Sequence, residues 1–223
     1  MKNIISFSLW GSNRLYNQGA IYNAILCNKY YTGWTCRFYV DDTVPNDTIN
    51  VLKSLGSEIV IKSGNIHCKG SMWRFEAMFD ETVDRFVCRD ADARLTIREK
   101  LAVDEWIASD KAFHIMRDHL HHATPGWAIF AGMFGAKTKD TLKYKDSYES
   151  FINGNNNFTR GCDQYWLHDN VWSDAKVNML CHDTYRNSPN LTGEEVYFPM
   201  ELIGKYHVGA IADPSESWDG IYD

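Results

Sequence analysis

Residues 2–9 form an apolar, β-prone run closed by a polar, glycine-containing turn, after which apolar positions around Ile21, Ile25 and Leu26 follow a helical period. The same grammar then repeats. Cys36-Arg37-Phe38-Tyr39-Val40 predicts a strand ending in Asp41-Asp42, residues 46–55 predict a helix stopped by Gly56, and residues 58–61 predict a further strand. A helix is expected over residues 72–79, and a strand over 85–89 that runs directly into Asp90-Ala91-Asp92. Thr96-Ile97-Arg98-Glu99 has the form of a capping box, opening a helix whose apolar face includes Leu101, Ala102, Trp106 and Ile107. Residues 113–116 predict a short strand, and the Gly-rich residues 129–136 a strand whose glycines admit a close neighbour. A polar helix near 139–153, three consecutive asparagines, a helix over 162–172 and a strand over 176–181 complete the pattern. Strands alternating with helices predict an α/β fold with a mostly parallel central sheet flanked by helices.

Composition narrows the class. The 223 residues suffice for one domain, and 44% hydrophobic against 23% charged residues is an ordinary globular balance. A net charge of -6 and a pI near 5.7 provide no basic surface for nucleic acid, so no nucleic-acid partner is expected and any phosphate must be met locally. The N-terminal apolar run turns polar at Ser12-Asn13-Arg14, too early for a signal peptide, and no stretch reaches a membrane span. Six cysteines without a CxxC pair read as buried reduced thiols, which points to a cytoplasmic setting. The sequons at Asn46, Asn157 and Asn190 carry no information there.

In open α/β sheets ligands bind at the carboxyl ends of strands, which gives Asp90 and Asp92 their interest. Two carboxylates at i and i+2 in a turn can face one hard cation, Mn²⁺ or Mg²⁺, that also takes phosphate oxygens. Surface turns are full of aspartates, so the tripeptide alone does not identify a site. Its context does more: Met72-Trp73-Arg74-Phe75 upstream, then Val83 to Leu95 through Arg89-Asp90-Ala91-Asp92.

This context resembles the core of the GT-A glycosyltransferases, especially the glycogenin and lipopolysaccharide galactosyltransferase type. With Arg98-Glu99, Ala102-Val103, Glu105-Trp106, Ser109-Asp110-Lys111, residues 114–119 and Gly132-Met133-Phe134-Gly135-Ala136, it is also similar to a group of bacterial and viral glycosyltransferases. The likeness spans most of residues 70–185. It implies a single Rossmann-like GT-A domain, with residues 1–95 as the nucleotide-binding half and 96–223 as the donor-sugar and acceptor half.

By the same resemblance, Asp90 and Asp92 hold the metal and the donor diphosphate around Ala91, and Arg74 approaches the donor. Leu9, Trp10, Gly11, Val40 and Asp41 occupy the places that hold base and ribose. Asp163-Gln164 matches the pair beneath the transferred sugar, and Asp118 is a candidate for gripping sugar hydroxyls. A histidine near the C-terminus completes the metal site in many such enzymes, and His182 and His207 compete for that place. His207-Val208-Gly209-Ala210 loosely resembles the family's diphosphate-closing segment. The following Ala212-Asp213-Pro214 departs from the expected Lys-Pro-Trp and puts a phosphate-gripping lysine in doubt.

Asp163 near a helix start can equally serve as a cap. Trp10, Trp127 and Trp166 are candidate aromatic platforms, and the histidines at 119, 121 and 122 are expected at the surface or acceptor side. Transfer of sugar from a UDP- or GDP-linked donor to a glycan or other hydroxyl acceptor is the expectation, with inversion and retention both open. The alternatives are a metal-dependent nucleotidyltransferase or phosphohydrolase, and a non-catalytic glycan-binding module on this scaffold.

Overall fold

The computed structural model describes residues 1–64, 68–123, 128–154, 158–186 and 194–222. Trp127, Asn157 and Asn190 lie outside them. In chain order the elements are β1 (Lys2–Leu9), α1 (Arg14–Tyr30), β2 (Trp34–Val40), α2 (Asn46–Ser54), β3 (Glu58–Ile61) and, after a 3-10 segment (Lys69–Phe79), β4 (Val83–Cys88). There follow α3 (Ile97–Ala108), β5 (Phe113–Arg117), β6 (Phe134–Lys137), α4 (Lys145–Gly154), α5 (Cys162–Asn170), α6 (Trp172–Ala175), β7 (Met179–Asp183) and β8 (Glu194–Val196).

One eight-stranded sheet in the order β3-β2-β1-β4-β6-β5-β7-β8 runs through the molecule. All pairings are parallel except those of β6, which lies antiparallel to both β4 and β5. Strand alternation divides the apolar residues between two cores. Ile5, Phe7 and Leu9 of β1 pack with α1, α2 and α3 on one face. Ile4 joins the 3-10 segment, α5 and α6 on the other. Each fully buried Ile or Phe contributes roughly 1.5–3 kcal/mol of transfer free energy, which fixes strand register, since a slip of one residue exchanges the faces.

Several local expectations are corrected. Ile25 faces solvent on α1, whereas Leu26 is buried. The segment expected as a helix over 72–79 is a 3-10 run. Its Arg74 N–H donates to Ser8 Oγ (2.9 Å), and its carbonyl accepts from Ser6 Oγ (2.7 Å), so β1 captures groups that an α-helical ladder would use. Residues 129–136 are strand only from Phe134 onward. Ala131–Met133 forms a 3-10 turn first, because Gln164 hooks the backbone before it. The capping box is half formed: Thr96 Oγ1 accepts from Glu99 N (3.2 Å), while the Glu99 carboxylate takes Arg89 Nε and the Tyr31 hydroxyl. The helix expected over 139–153 starts as 3-10 turns and becomes α-helical at Lys145. The helix expected over 162–172 is divided between α5 and α6, and the final strand begins at Met179, because Lys176 N and Asn178 N are spent closing the α6 turn. That delay places His182 within β7.

Candidate active site

Because β1, β2 and β4 are mutually parallel, the residues after Leu9, Val40 and Cys88 emerge on one edge of the sheet. Asp90-Ala91-Asp92 is the loop there, and α1 supports it from below. Asn23 donates to the Ala93 carbonyl (3.0 Å) and accepts from Leu95 N (2.9 Å), bracketing the loop with one buried amide. Gly19 faces it so closely that an added Cβ would stand 2.0 Å from the Ala91 carbonyl oxygen. Neither residue was singled out from the sequence; an Asn and a Gly four apart on a helix otherwise rich in apolar residues is the only trace they leave.

Arg74 lies across the loop. It is 6% exposed, donating through Nη1 to Asp90 Oδ1 and through Nη2 to Asp163 Oδ2. Three residues expected at the site from distant parts of the chain are thus joined by one guanidinium. Burial by itself would lower the Arg74 pKa, but Asp90 and Asp163 outweigh it and hold the guanidinium firmly charged. Gly132 backs the opposite side of Asp90: a Cβ there would lie 2.0 Å from Asp90 Oδ2. The close neighbour expected at the Gly-rich segment is therefore the Asp90 carboxylate.

Burial, and next the adjacent Asp90, raise the Asp92 carboxyl to about 6. Tyr16, in the first turn of α1, is raised by partial burial and by Asp92, and also senses Arg160 and Asp90, which places it at the rim. Tyr16 and Arg160 went unnoticed in the sequence because neither belongs to a motif.

The C-terminal segment covers the loop. Ala212 N donates to the Asp92 carbonyl (2.9 Å). Arg94, 1% exposed, donates to the carbonyls of Ala93 (2.9 Å), Asp92 (3.3 Å), Glu216 (2.9 Å) and Asp213 (3.2 Å) and lies over the Tyr22 ring. His207 sits on this segment, its ring 4.8 Å from that of His119 and 5.5 Å from that of His122.

Other expected residues are engaged elsewhere. His182 is fully buried in β7; its Nδ1 meets His114 Nε2 (2.9 Å) and its Nε2 meets Glu105 (3.0 Å), so neither nitrogen is left for a cation beside Asp92. Asp118 is fully buried too, and both oxygens are saturated by Arg98, Thr184 and the Val208 N–H, leaving no acceptor for a sugar hydroxyl. Gln164 spends its amide on the Ile129 carbonyl and Ala131 N–H; it positions the Gly132 turn instead of facing outward. Leu9 and Val40 side chains are buried, so only their backbone reaches the edge. Asp41 is bound to Thr43, which accepts from Gly11 N (2.6 Å) and ties the two strand-end loops together. Trp10 is half-buried, edge-on to Trp73 and lying over Gly70. Trp166 is core, packed between Phe75 and Tyr148.

A cavity of about 550 Å³ lies apart from this edge, beside Arg37 and Glu58. Arg37 is already paired with Glu58 and Asp80, so the converging polar groups at Asp90 make the stronger candidate site.

The fold is that of the GT-A-like nucleotide-diphospho-sugar transferases, shared by glycosyltransferases and nucleotidyltransferases. Among solved structures, the chain is similar to a glycosyltransferase involved in glycosylation of the major capsid of PBCV-1, at TM-score 0.51 and 12% identity over 83% of each chain. It is similar to the glycosyltransferase GlyE of Streptococcus pneumoniae TIGR4, at TM-score 0.53 and 16% identity over 83% of this chain and 46% of that one. A cytidylyltransferase from Leptospira borgpetersenii matches at TM-score 0.51 and 13% identity, over 84% and 77%. No protein-family model and no curated protein sequence matches the chain. Among the described residues, no helix is long and apolar enough to cross a membrane.

Proposed function

We propose that the chain is a glycosyltransferase, moving a sugar from a UDP- or GDP-linked donor to a glycan or other hydroxyl acceptor, with Mn²⁺ or Mg²⁺ on Asp90 and Asp92. The observation that carries this reading is the Asp90–Arg74–Asp163 array at the carboxyl end of β4. The donor set suits a hard dication: two carboxylates stand two residues apart in one loop, and burial, then the neighbouring Asp90, raise the Asp92 carboxyl. Such a cation, when bound, neutralises charge developing on a departing diphosphate.

The chain's own residues orient the site. Arg74 fixes one oxygen of Asp90, Gly132 leaves room for the other, and Asn23 holds the loop at a set height. Backbone at residues 9–11 and 40–41 is offered to the nucleotide. Of the two candidate third ligands His207 is kept, because its segment is bonded to the Asp92 carbonyl whereas His182 is occupied elsewhere.

Thermal unfolding with nucleoside diphosphates, nucleotide-sugars and nucleoside triphosphates, each with and without Mn²⁺, tests this. UDP- or GDP-sugars should raise Tm only with the cation, and Asp92→Asn should remove the rise without lowering the ligand-free Tm. A preference for CTP or another triphosphate would instead favour nucleotidyl transfer, the reading that the cytidylyltransferase likeness supports. If no UDP- or GDP-linked ligand raises Tm under any condition, the proposal fails.

A further inference from the structure

At the far end of the sheet, separated from β4 by β6 and β5, the parallel register sets Cys181 of β7 opposite Glu195 of β8. Asp183, two residues on, shares the face of Cys181. The Cys181 sulfur and one carboxylate oxygen from each of Asp183 and Glu195 lie within 4.8 Å of one another.

These groups are incompletely satisfied. The Asp183 side chain is 2% exposed, and its Oδ1 accepts from the Tyr185 and Arg186 N–H groups (2.8 Å each), but among the described residues its Oδ2 has no hydrogen-bond partner. Glu195 Oε1, on a side chain 19% exposed, has none either. Arg117 Nη1 stands 3.9 Å from the first oxygen and 3.6 Å from the second, beyond hydrogen-bond length, while its Nε donates to the Ala128 carbonyl (3.1 Å). Buried carboxylate oxygens held by a long ion pair and no hydrogen bond are costly and leave room for a closer partner.

We propose that Cys181, Asp183 and Glu195 bind a divalent cation of the zinc class, with a water completing the shell. A thiolate beside two carboxylates selects a borderline cation over Mg²⁺. Charge supports the assignment: thiolate and two carboxylates carry three negative charges, which a dication and the Arg117 guanidinium match. Without the ion, burial, and after it the nearby acids, keep the Cys181 thiol protonated with its pKa at about 12, and burial with Asp183 raises Glu195. Binding therefore releases the thiol proton to solvent as the metal–sulfur bond forms. The site stands independently of the Asp90–Asp92 reading and would pin the short edge strand β8 to β7.

Co²⁺ titration of the full chain, followed by thiolate-to-cobalt charge-transfer absorption, tests the site. One equivalent should develop the band in the parent protein and equally in Asp92→Asn, whereas Cys181→Ser should lack it. Glu195→Gln, at the partly exposed edge, should weaken Zn²⁺ binding by roughly tenfold or more, at least the loss seen when an outer-shell partner is removed. No band in the parent protein, or a band that persists in Cys181→Ser, overturns the proposal. So does a Zn²⁺-induced rise in Tm that Asp92→Asn abolishes and Cys181→Ser keeps.

Discussion

Gly132→Ala separates function from stability more cleanly than removal of any charged residue. Its Cβ would arrive 2.0 Å from Asp90 Oδ2 and 2.6 Å from Cγ, so the carboxylate must leave its place. The Asp90 side chain is 47% exposed and can swing outward, and Gly132 is not among the glycines with positive φ, so alanine is conformationally acceptable. Arg74 is buried but keeps Asp163, and Asp90 is half in solvent, so the lost Asp90–Arg74 pair is worth about 0–1 kcal/mol. Reduced unfolded-state entropy returns roughly 0.4–1 kcal/mol. Ligand-free stability should therefore change by less than about 1 kcal/mol. In the parent protein, donor with Mn²⁺ at a hundred times Kd should contribute about 2.7 kcal/mol. For a chain this size that corresponds to a rise of roughly 5–11 °C. Thermal unfolding of Gly132→Ala should show nearly the parental ligand-free Tm and none of that rise. A full Mn²⁺-dependent rise would refute the argument that Gly132 sets the Asp90 carboxylate.

Three further outcomes are expected. Gly19→Ala meets backbone, the Ala91 carbonyl, which cannot swing away, so it should destabilise by about 1–3 kcal/mol in urea unfolding; a neutral result would mean that α1 does not support the loop. Asp118→Asn leaves Arg98, 1% exposed, without its counter-charge and should cost about 3–5 kcal/mol. Unchanged stability with weakened donor binding would return Asp118 to the sugar site. Stability should also fall on acidification. Burial, then His182, holds the His114 pKa well below 6.5, so beneath that pH the unfolded chain takes a proton the fold refuses, at up to about 1.4 kcal/mol per pH unit. His122, lowered to about 3 chiefly by burial, acts in the same direction, whereas Asp92, raised to about 6, offsets one of them between there and 3.8. Urea midpoints that hold level or rise from pH 7 to pH 5 would contradict this balance.

The α/β class, most strand positions and the place of Asp90 and Asp92 just after β4 were legible because they rest on local information: period-two apolar runs, Gly56 stopping a helix, and carboxylates directly after a strand. Boundaries failed where a tertiary bond outbid local preference. Ser6 and Ser8 took the Arg74 backbone, and Gln164 took the backbone ahead of Gly132. The same cause engages several of the polar candidates. His182, Asp118 and Gln164 carry the right chemistry for a site, yet each is engaged by partners 20 to 90 residues away in sequence, which no spacing rule displays.

The order of hydrophobic and polar residues by itself determined an α/β protein with acidic residues at the end of a central strand, since burying alternate strand faces admits little else. Which acids are free to meet a ligand was decided only by tertiary structure. One buried arginine must choose among carboxylates that the chain keeps far apart, and Arg74 joins Asp90 to Asp163 while Arg98 claims Asp118.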